Sequence, residues 1–190
     1  VAGRHRDALL NKLVNIVMES AGADRGCLLL EQSGSWHIAA IVNINPQAHA
    51  PTQHDSQDSA DRARGVSTAI VNFAAHRRQD LVLNNAVAEG AFARDPYVRA
   101  NLPQSVLCMP LLKQGRIIAI LYLENHLATG AFTPTRLQML RLLSSQMAIS
   151  IENAQLYAQM EDRVRARTQE LSAKNTELSE ALRALRETQQ

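Results

Sequence analysis

From Phe132-Thr133-Pro134 onward the chain holds no further proline and no glycine up to Gln190. That uninterrupted stretch constrains the fold more than any other feature. Thr133 suits the N-cap of a helix, and Pro134 suits its first turn, where a missing N–H costs nothing. A continuous helix from Pro134 to Gln190 would run roughly 85 Å at a rise of 1.5 Å per residue. A single small domain cannot enclose such a rod. Its first half is expected to belong to a folded domain and its second half to project as a stalk.

The two halves differ in periodicity. Leu137, Leu140, Leu143, Met147, Ile151 and Ala154 follow a three-and-four spacing, one stripe facing a core. Val164, Leu171, Leu178 and Leu185 recur every seven residues and suit heptad d positions, with Thr168, Asn175 and Leu182 at a. Leu156, Met160 and Val164 lie between, spaced four and four, as in a stutter where a supercoil locally unwinds. The pattern predicts a self-associating parallel coil with Leu156, Met160, Val164, Thr168, Leu171, Asn175, Leu178, Leu182 and Leu185 at its interface. A solitary amphipathic helix would not need leucine to recur at d with polar residues between. Asn175 at a favours an in-register pair. The flanking Arg167, Lys174, Ser172 and Ser179 offer no interhelical ion pairs; Glu161 to Arg165 and Glu170 to Lys174 support each helix from within. Residues 1–155 are thus expected to form a domain and residues 156–190 a coiled-coil helix.

With 190 residues, 46% of them hydrophobic, and a formal charge of +2, the chain suits one globular domain plus an extension. The near balance of charge argues against a dedicated nucleic-acid protein. Arg163, Arg165 and Arg167 share their turns with Glu161 and Asp162, as on a solvated helix face. No apolar run is long enough to span a bilayer, and no signal peptide is evident. The chain opens on Val1, almost directly in a helical pattern, and reads as a segment of something longer. Cys27 and Cys108 sit in apolar runs, which reads as reduced and buried, with the cytoplasm as the natural compartment.

In order, residues 5–21 predict a helix with Leu9, Leu10, Leu13, Ile16, Val17 and Met18 on one side, ended by Gly22. Residues 25–31 form a short continuous apolar run, as in a central strand buried on both faces. Ser33-Gly34 is turn chemistry, so a strand over 36–42 should return beside it. Residues 43–64 lose periodicity and read as a long loop. His49, His54, Asp55, Asp58 and Asp61 lie there, but match no standard metal spacing, so no metal site is expected. A helix over 67–76 with Ile70, Val71, Phe73 and Ala74 inward, a short strand over 80–83, and an irregular segment over 84–104 follow. Strands over 105–112 and 116–124 flank Gln114-Gly115 as a second hairpin.

There are no evenly spaced βαβ units. The expected class is α+β: an antiparallel sheet with the first and last helices on one face. The short helix and the two loops would cover the other face, and a cover built from loops is where a pocket forms.

Several segments resemble the GAF domain family. They are Ala23-Asp24-Arg25-Gly26-Cys27-Leu28-Leu29-Leu30-Glu31, Phe92 through Tyr97, Ser105-Val106-Leu107-Cys108-Met109-Pro110-Leu111, and Gly115 through Asn125. Phe132-Thr133-Pro134 and Gln146 through Ala154 complete the set, and the match spans roughly residues 5–155. The resemblance implies a dimeric cytoplasmic sensory module of a larger bacterial sensor, dimerising through its terminal helices. It would relay ligand or upstream state to an output domain such as a histidine kinase in a two-component system. That kinase segment is not in this chain. The resemblance names no ligand. Cyclic-nucleotide-binding members carry an Asn-Lys … Phe … Asp-Glu signature; here Asn125 and Phe132 are present, but His126 follows, and Arg136-Leu137 stand at the acidic positions. Bilin-binding members attach the chromophore through a cysteine in another context than Cys27 or Cys108. A haem would need an axial ligand, and His76 and His126 read more simply as surface histidines.

Candidate ligand-binding residues are Asn85, Phe92, Asp95, Tyr97, Cys108 and Tyr122. Each has a plain alternative: Phe92 and Tyr97 as packing aromatics, Asp95 as a turn former before Pro96, Cys108 as a small buried apolar residue, and Trp36 as a rim aromatic or packing. No phosphate loop, paired carboxylates or Ser-His-Asp order stands out, so no enzyme is expected. The alternatives are a dimerisation scaffold with a non-binding pocket, and a cysteine-dependent methionine sulfoxide reductase of the kind known in this family. The latter needs a thiolate nucleophile and a resolving thiol.

Overall fold

The computed structural model describes residues 2–32, 34–44, 65–88 and 90–188. Its elements run α1 (Ala2–Ala21), β1 (Arg25–Gln32), β2 (Ser35–Asn43), α2 (Thr68–Arg77), β3 (Leu81–Leu83), a 3₁₀ turn (Ala91–Arg94), α3 (Pro96–Asn101), β4 (Ser105–Lys113), β5 (Arg116–Asn125) and α4 (Pro134–Thr188). The expected α+β class and both hairpins are present. His49, His54, Asp55, Asp58 and Asp61 lie outside the described residues.

The five strands form one sheet in the order β2-β1-β5-β4-β3, each neighbouring pair antiparallel. The hairpins β1–β2 and β4–β5 are local, and β1 against β5 joins them. The β4–β5 turn places Gln114 and Gly115 at φ of 50° and 76°. Two successive residues with positive φ match the twist of the flanking strands, which is why glycine stands at one of them.

Alternation sorts the sheet into two faces. Ala119, Leu121 and Leu123 of β5 join Leu28 and Leu30 of β1 and Leu107, Met109 and Leu111 of β4 on one face, beneath α1 and α4. Leu10, Val14, Val17 and Met18 of α1 and Leu140, Met147 and Ile151 of α4 pack onto them. Burying each such side chain contributes about 1.5–3 kcal/mol. Gly26 permits this approach: a Cβ there would meet Met18 Sδ at 2.7 Å and Val14 Cγ1 at 2.9 Å. The stripe on α1 differs from the expected one. Leu9 and Ile16 are exposed, while Val14 and Ala21 are buried. The helix turns a narrower face to the sheet, and Leu9 and Ile16 fall on its flank.

The other face carries Cys27, Leu29, Val106, Cys108, Ile120 and Tyr122, covered by Ile70, Val71 and Ala74 of α2 and by Val98 of α3. Ser67 caps α2, its hydroxyl accepting from the Ile70 N–H at 3.2 Å. Phe73 is not inward as expected. It is 42% exposed and sets its edge against Phe92, ring centroids 5.6 Å apart. The stretch 84–104 is more ordered than its composition implies. Asp95 caps α3, accepting from the Val98 N–H at 3.1 Å, with Pro96 in the first turn.

The rod is a single helix. Thr133 Oγ1 accepts from the Arg136 N–H at 3.4 Å, and α4 passes through the four-four region without a break. Two ties bind its first half to the sheet edge: Lys113 to Glu152, and Arg141 to Asp80 at 2.8 Å. Beyond the sheet Leu156, Met160, Val164, Leu171 and Leu178 are all exposed, as are Thr168 and Asn175. The side chains of Leu182 and Leu185 lie outside the described residues. Glu170 meets Lys174 at 3.2 Å, as expected, and Arg167 at 2.9 Å.

Candidate functional site

The face away from the terminal helices has two cross-strand rows that carry its polar chemistry. The first runs Leu81, Cys108, Tyr122, Cys27, Ile41. The second runs Leu83, Val106, Glu124, Arg25, Asn43. Directly paired residues point to the same side of a sheet, so each row shares one face.

Arg25 and Glu124 form a buried ion pair, Nη1 to Oε2 2.7 Å, with the Glu124 side chain wholly buried. Arg25 Nη1 also donates to the Tyr97 hydroxyl, and Nη2 donates to the Gly65 carbonyl. Tyr97, carried in by α3, donates its own hydroxyl hydrogen to Glu124 Oε2 at 3.2 Å. His126 sits beside this group. Its backbone N–H donates to Asp24 Oδ2 at 2.7 Å, and its ring Nδ1 lies 2.8 Å from Asp24 Oδ1 and its Nε2 3.8 Å from Glu124 Oε2. It is thus not the free surface histidine expected. Burial works against the Arg25 charge, but Glu124, Cys27 and Tyr97 together outweigh it and the guanidinium is held charged more firmly than usual. Burial, then Glu124, push the Tyr97 and Tyr122 hydroxyls upward, so both stay protonated.

The same burial acts on the thiols. Cys27 is pushed up to about 12 by burial, although Arg25 pulls the other way; Cys108 is raised by burial, then by Asp80. Cys27 and Cys108 stand on strands either side of Tyr122. Two inter-strand spacings put their backbones roughly 10 Å apart, beyond disulfide reach. Neither is a low-pKa nucleophile. Both thiols are therefore expected to stay unreactive toward a chromogenic disulfide reagent at pH 8 in the folded protein and to react at once in urea. The raised values also set a pH dependence. Below the ordinary Cys27 value of 9.0 folded and unfolded chains both hold the proton, and stability is complete. Between there and about 12 the unfolded chain releases the proton first, so stability falls as pH rises. A urea midpoint flat from pH 7 to 8 and falling above about 9 checks this.

An open cleft of about 520 Å³ lies at the far end of the same face, between the start of β2 and the N-terminal half of α2. Leu29, Trp36, Ile38, Val66, Thr68 and Asn72 line it. Its size falls within the usual range for small-molecule sites.

The sequence-based candidates are dispersed around this geometry. Tyr97, Cys108 and Tyr122 come together under α2 and α3, the two tyrosine rings edge to face at 6.4 Å, and all three are buried. Phe92 packs on Phe73, Asp95 caps α3, and Asn85 holds a buried side-chain oxygen with no partner among the described residues. None of the six lines the cleft. Trp36 does. Sequence reasoning missed Arg25, Glu124, His126 and Asp24 as site residues. The available clue was a charge at the end of each of two apolar strands; the antiparallel pairing that sets them side by side was not legible. No group of three or more metal-binding side chains occurs among the described residues.

These features define an α+β domain with one face sealed by its terminal helices and the other built around a buried polar group and a cleft. The chain belongs to the GAF domain family, whose model matches residues 5–151. A hybrid signal transduction histidine kinase G from Dictyostelium discoideum is 37% identical over 105 residues, covering 55% of this chain and 3% of the kinase. The chain thus spans a small part of that relative. A GAF domain/HD domain protein from Geobacter sulfurreducens shares the fold at a TM-score of 0.60 and 14% identity, over 80% of this chain and 94% of that one. A type II free methionine-R-sulfoxide reductase from Thermoplasma acidophilum shares it at 0.58 and 12%, over 80% and 96%. At such identities the likeness is one of fold. No helix among the described residues is long and apolar enough to cross a membrane.

Proposed function

We propose that the chain is the sensory module of a larger cytoplasmic signalling protein. It works as a homodimer whose paired α4 helices carry the state of the pocket face to an output domain such as a histidine kinase. One observation carries this reading: a continuous 55-residue helix belongs to the core in its first half and leaves its heptad leucines exposed in its second. Exposed apolar side chains at every described d position, Val164, Leu171 and Leu178, are costly unless another chain covers them. Leu142 and Ile149 on α4, and Leu9 and Ile16 on α1, extend the uncovered apolar surface down beside the sheet. The kinase relative supports the output class. Sedimentation equilibrium of the full chain is expected to give a dimer; a single chain at micromolar concentration would remove the relay.

The pocket face supplies the input. Trp36 is the chain's one tryptophan and lines the cleft, so a ligand seated there is expected to change its fluorescence and raise the thermal midpoint by mass action. A dimer that answers to no small molecule in such a screen supports the second reading, a dimerisation spacer with a non-binding pocket. A reductase reading lacks support from the thiols, which are buried, raised and out of reach of each other.

A further inference from the structure

The walls of the cleft beside Trp36 restrict what it can hold. Leu29 of β1 and Ile38 of β2 are direct cross-strand partners, and Trp36 lies two residues before Ile38. All three therefore present their side chains to the same side of the sheet. Thr68, Val71 and Asn72 are spaced three and four along α2 and share the helix side that meets the cleft. The base is aliphatic, with Leu29 and Val71 buried. Trp36 supplies an aromatic wall, and the half-buried Thr68 and exposed Asn72 put a hydroxyl and an amide at the mouth.

Charge decides first. Among the described residues no Lys, Arg, Asp or Glu lines the cleft. His37 borders it, but its cross-strand partner Leu30 belongs to the opposite face, so strand alternation turns the His37 ring away. A charged ligand would leave water with no counter-charge to meet it, which is costly. A quaternary cation is held by a cage of aromatic faces, and Trp36 is the one aromatic side chain among the described lining residues. Shape and polarity decide the rest. The indole face gains most from a flat ring laid against it. The Asn72 amide offers donor hydrogens and an acceptor oxygen together. A carboxamide, a lactam or a ring with N–H beside C=O meets that amide with two hydrogen bonds at once.

We propose that the cleft binds an uncharged planar ring compound, its face against Trp36 and an amide-like edge on Asn72. This deepens the sensor reading and rests on its claim that a small molecule occupies the cleft.

The test titrates the full chain with benzamide, nicotinamide and thymine, following the thermal midpoint. Cyclohexanecarboxamide keeps the amide but loses the flat ring, and benzoate keeps the ring but carries a charge. At least one planar amide is expected to raise the midpoint saturably, while cyclohexanecarboxamide and benzoate at equal concentration do not. Asn72→Ala, at an exposed position, is expected to fold, to keep the parent's midpoint without ligand, and to weaken the response about 10-fold, the scale of two neutral hydrogen bonds. Trp36→Leu keeps an apolar wall without the flat face and is expected to lose the preference for benzamide over cyclohexanecarboxamide. No response to any planar amide overturns the proposal, as does an equal response to benzoate or cyclohexanecarboxamide. An undiminished response in Asn72→Ala, or an unchanged ring preference in a folded Trp36→Leu, overturns it as well. A dimer that answers only benzoate or the saturated amide removes this ligand class and leaves the sensor; a single chain that answers the planar amides keeps the cleft and removes the relay.

Discussion

Arg25→Ala is expected to lower the unfolding free energy of the domain by about 3–5 kcal/mol, the scale for removing one partner of a buried pair. For a domain whose whole stability is about 5–15 kcal/mol, that is a large share. The cause is the charge left behind. Glu124 is wholly buried, and with Arg25 gone its Oε2 keeps only the Tyr97 hydroxyl, with His126 at 3.8 Å. The Gly65 carbonyl and the Tyr97 oxygen lose a donor as well. Arg141→Ala is the control. Its partner Asp80 also forms an ion pair, at 2.8 Å, but the Arg141 side chain is 62% exposed, and such pairs contribute about 0–1 kcal/mol. Urea denaturation of both variants separates the two. The double change Arg25→Met with Glu124→Leu should recover much of the loss, because it leaves no buried charge unpaired. Equal, small losses in both single variants would show that the buried pair is not the organising contact described here.

Leu171→Ala and Leu178→Ala are expected to release the dimer while leaving each domain folded. Truncating a leucine that is buried at an interface costs about 2–5 kcal/mol per site, and a symmetric pair loses it twice. A single substitution should therefore raise the dimer Kd by a factor of at least ~1,000. Leu171 and Leu178 are exposed in one chain, 67% and 59%, so neither change can unsettle the sheet core. Near-ultraviolet circular dichroism should be unchanged while sedimentation shifts to the single chain. Asn175→Leu is expected to act oppositely, tightening the pair by replacing a polar a residue while loosening its register. In the full-length protein it should blunt the response to input. A tighter coil with unaltered output would take Asn175 out of the mechanism, and an unaltered Kd in both leucine variants would take out the coil.

How a bound molecule could reach α4 follows from the contacts of the β5–α4 connection. Asn125 donates to the Gly22 carbonyl at 2.7 Å and accepts from the Leu127 and Ala128 N–H groups. Ser105 Oγ donates to the carbonyl of Ala128 and accepts from the Ala131 N–H. The connection is thus pinned to the end of α1 and to the start of β4, one residue from Glu124 on β5. A ligand biases such a joint only by its difference in affinity for two arrangements.

Local chemistry made much of this legible before any tertiary contact was known. Thr133-Pro134 set the start of α4, the absence of later breakers set its continuity, and Gln114-Gly115 and Ser33-Gly34 set two hairpins. Apolar runs at 25–31 and 105–112 marked strands buried on both faces. These are properties of neighbouring residues, and they survive in a single dimension. What the tertiary structure alone decided depends on pairing between distant strands. Arg25 and Glu124 lie 99 residues apart, and only the antiparallel match of β1 to β5 makes them partners. The flank positions of Leu9 and Ile16, the outward turn of Phe73 and the clamp on His126 have the same origin: each is fixed by which surface another element covers, and a sequence records a residue's neighbours along the chain, not those across the sheet.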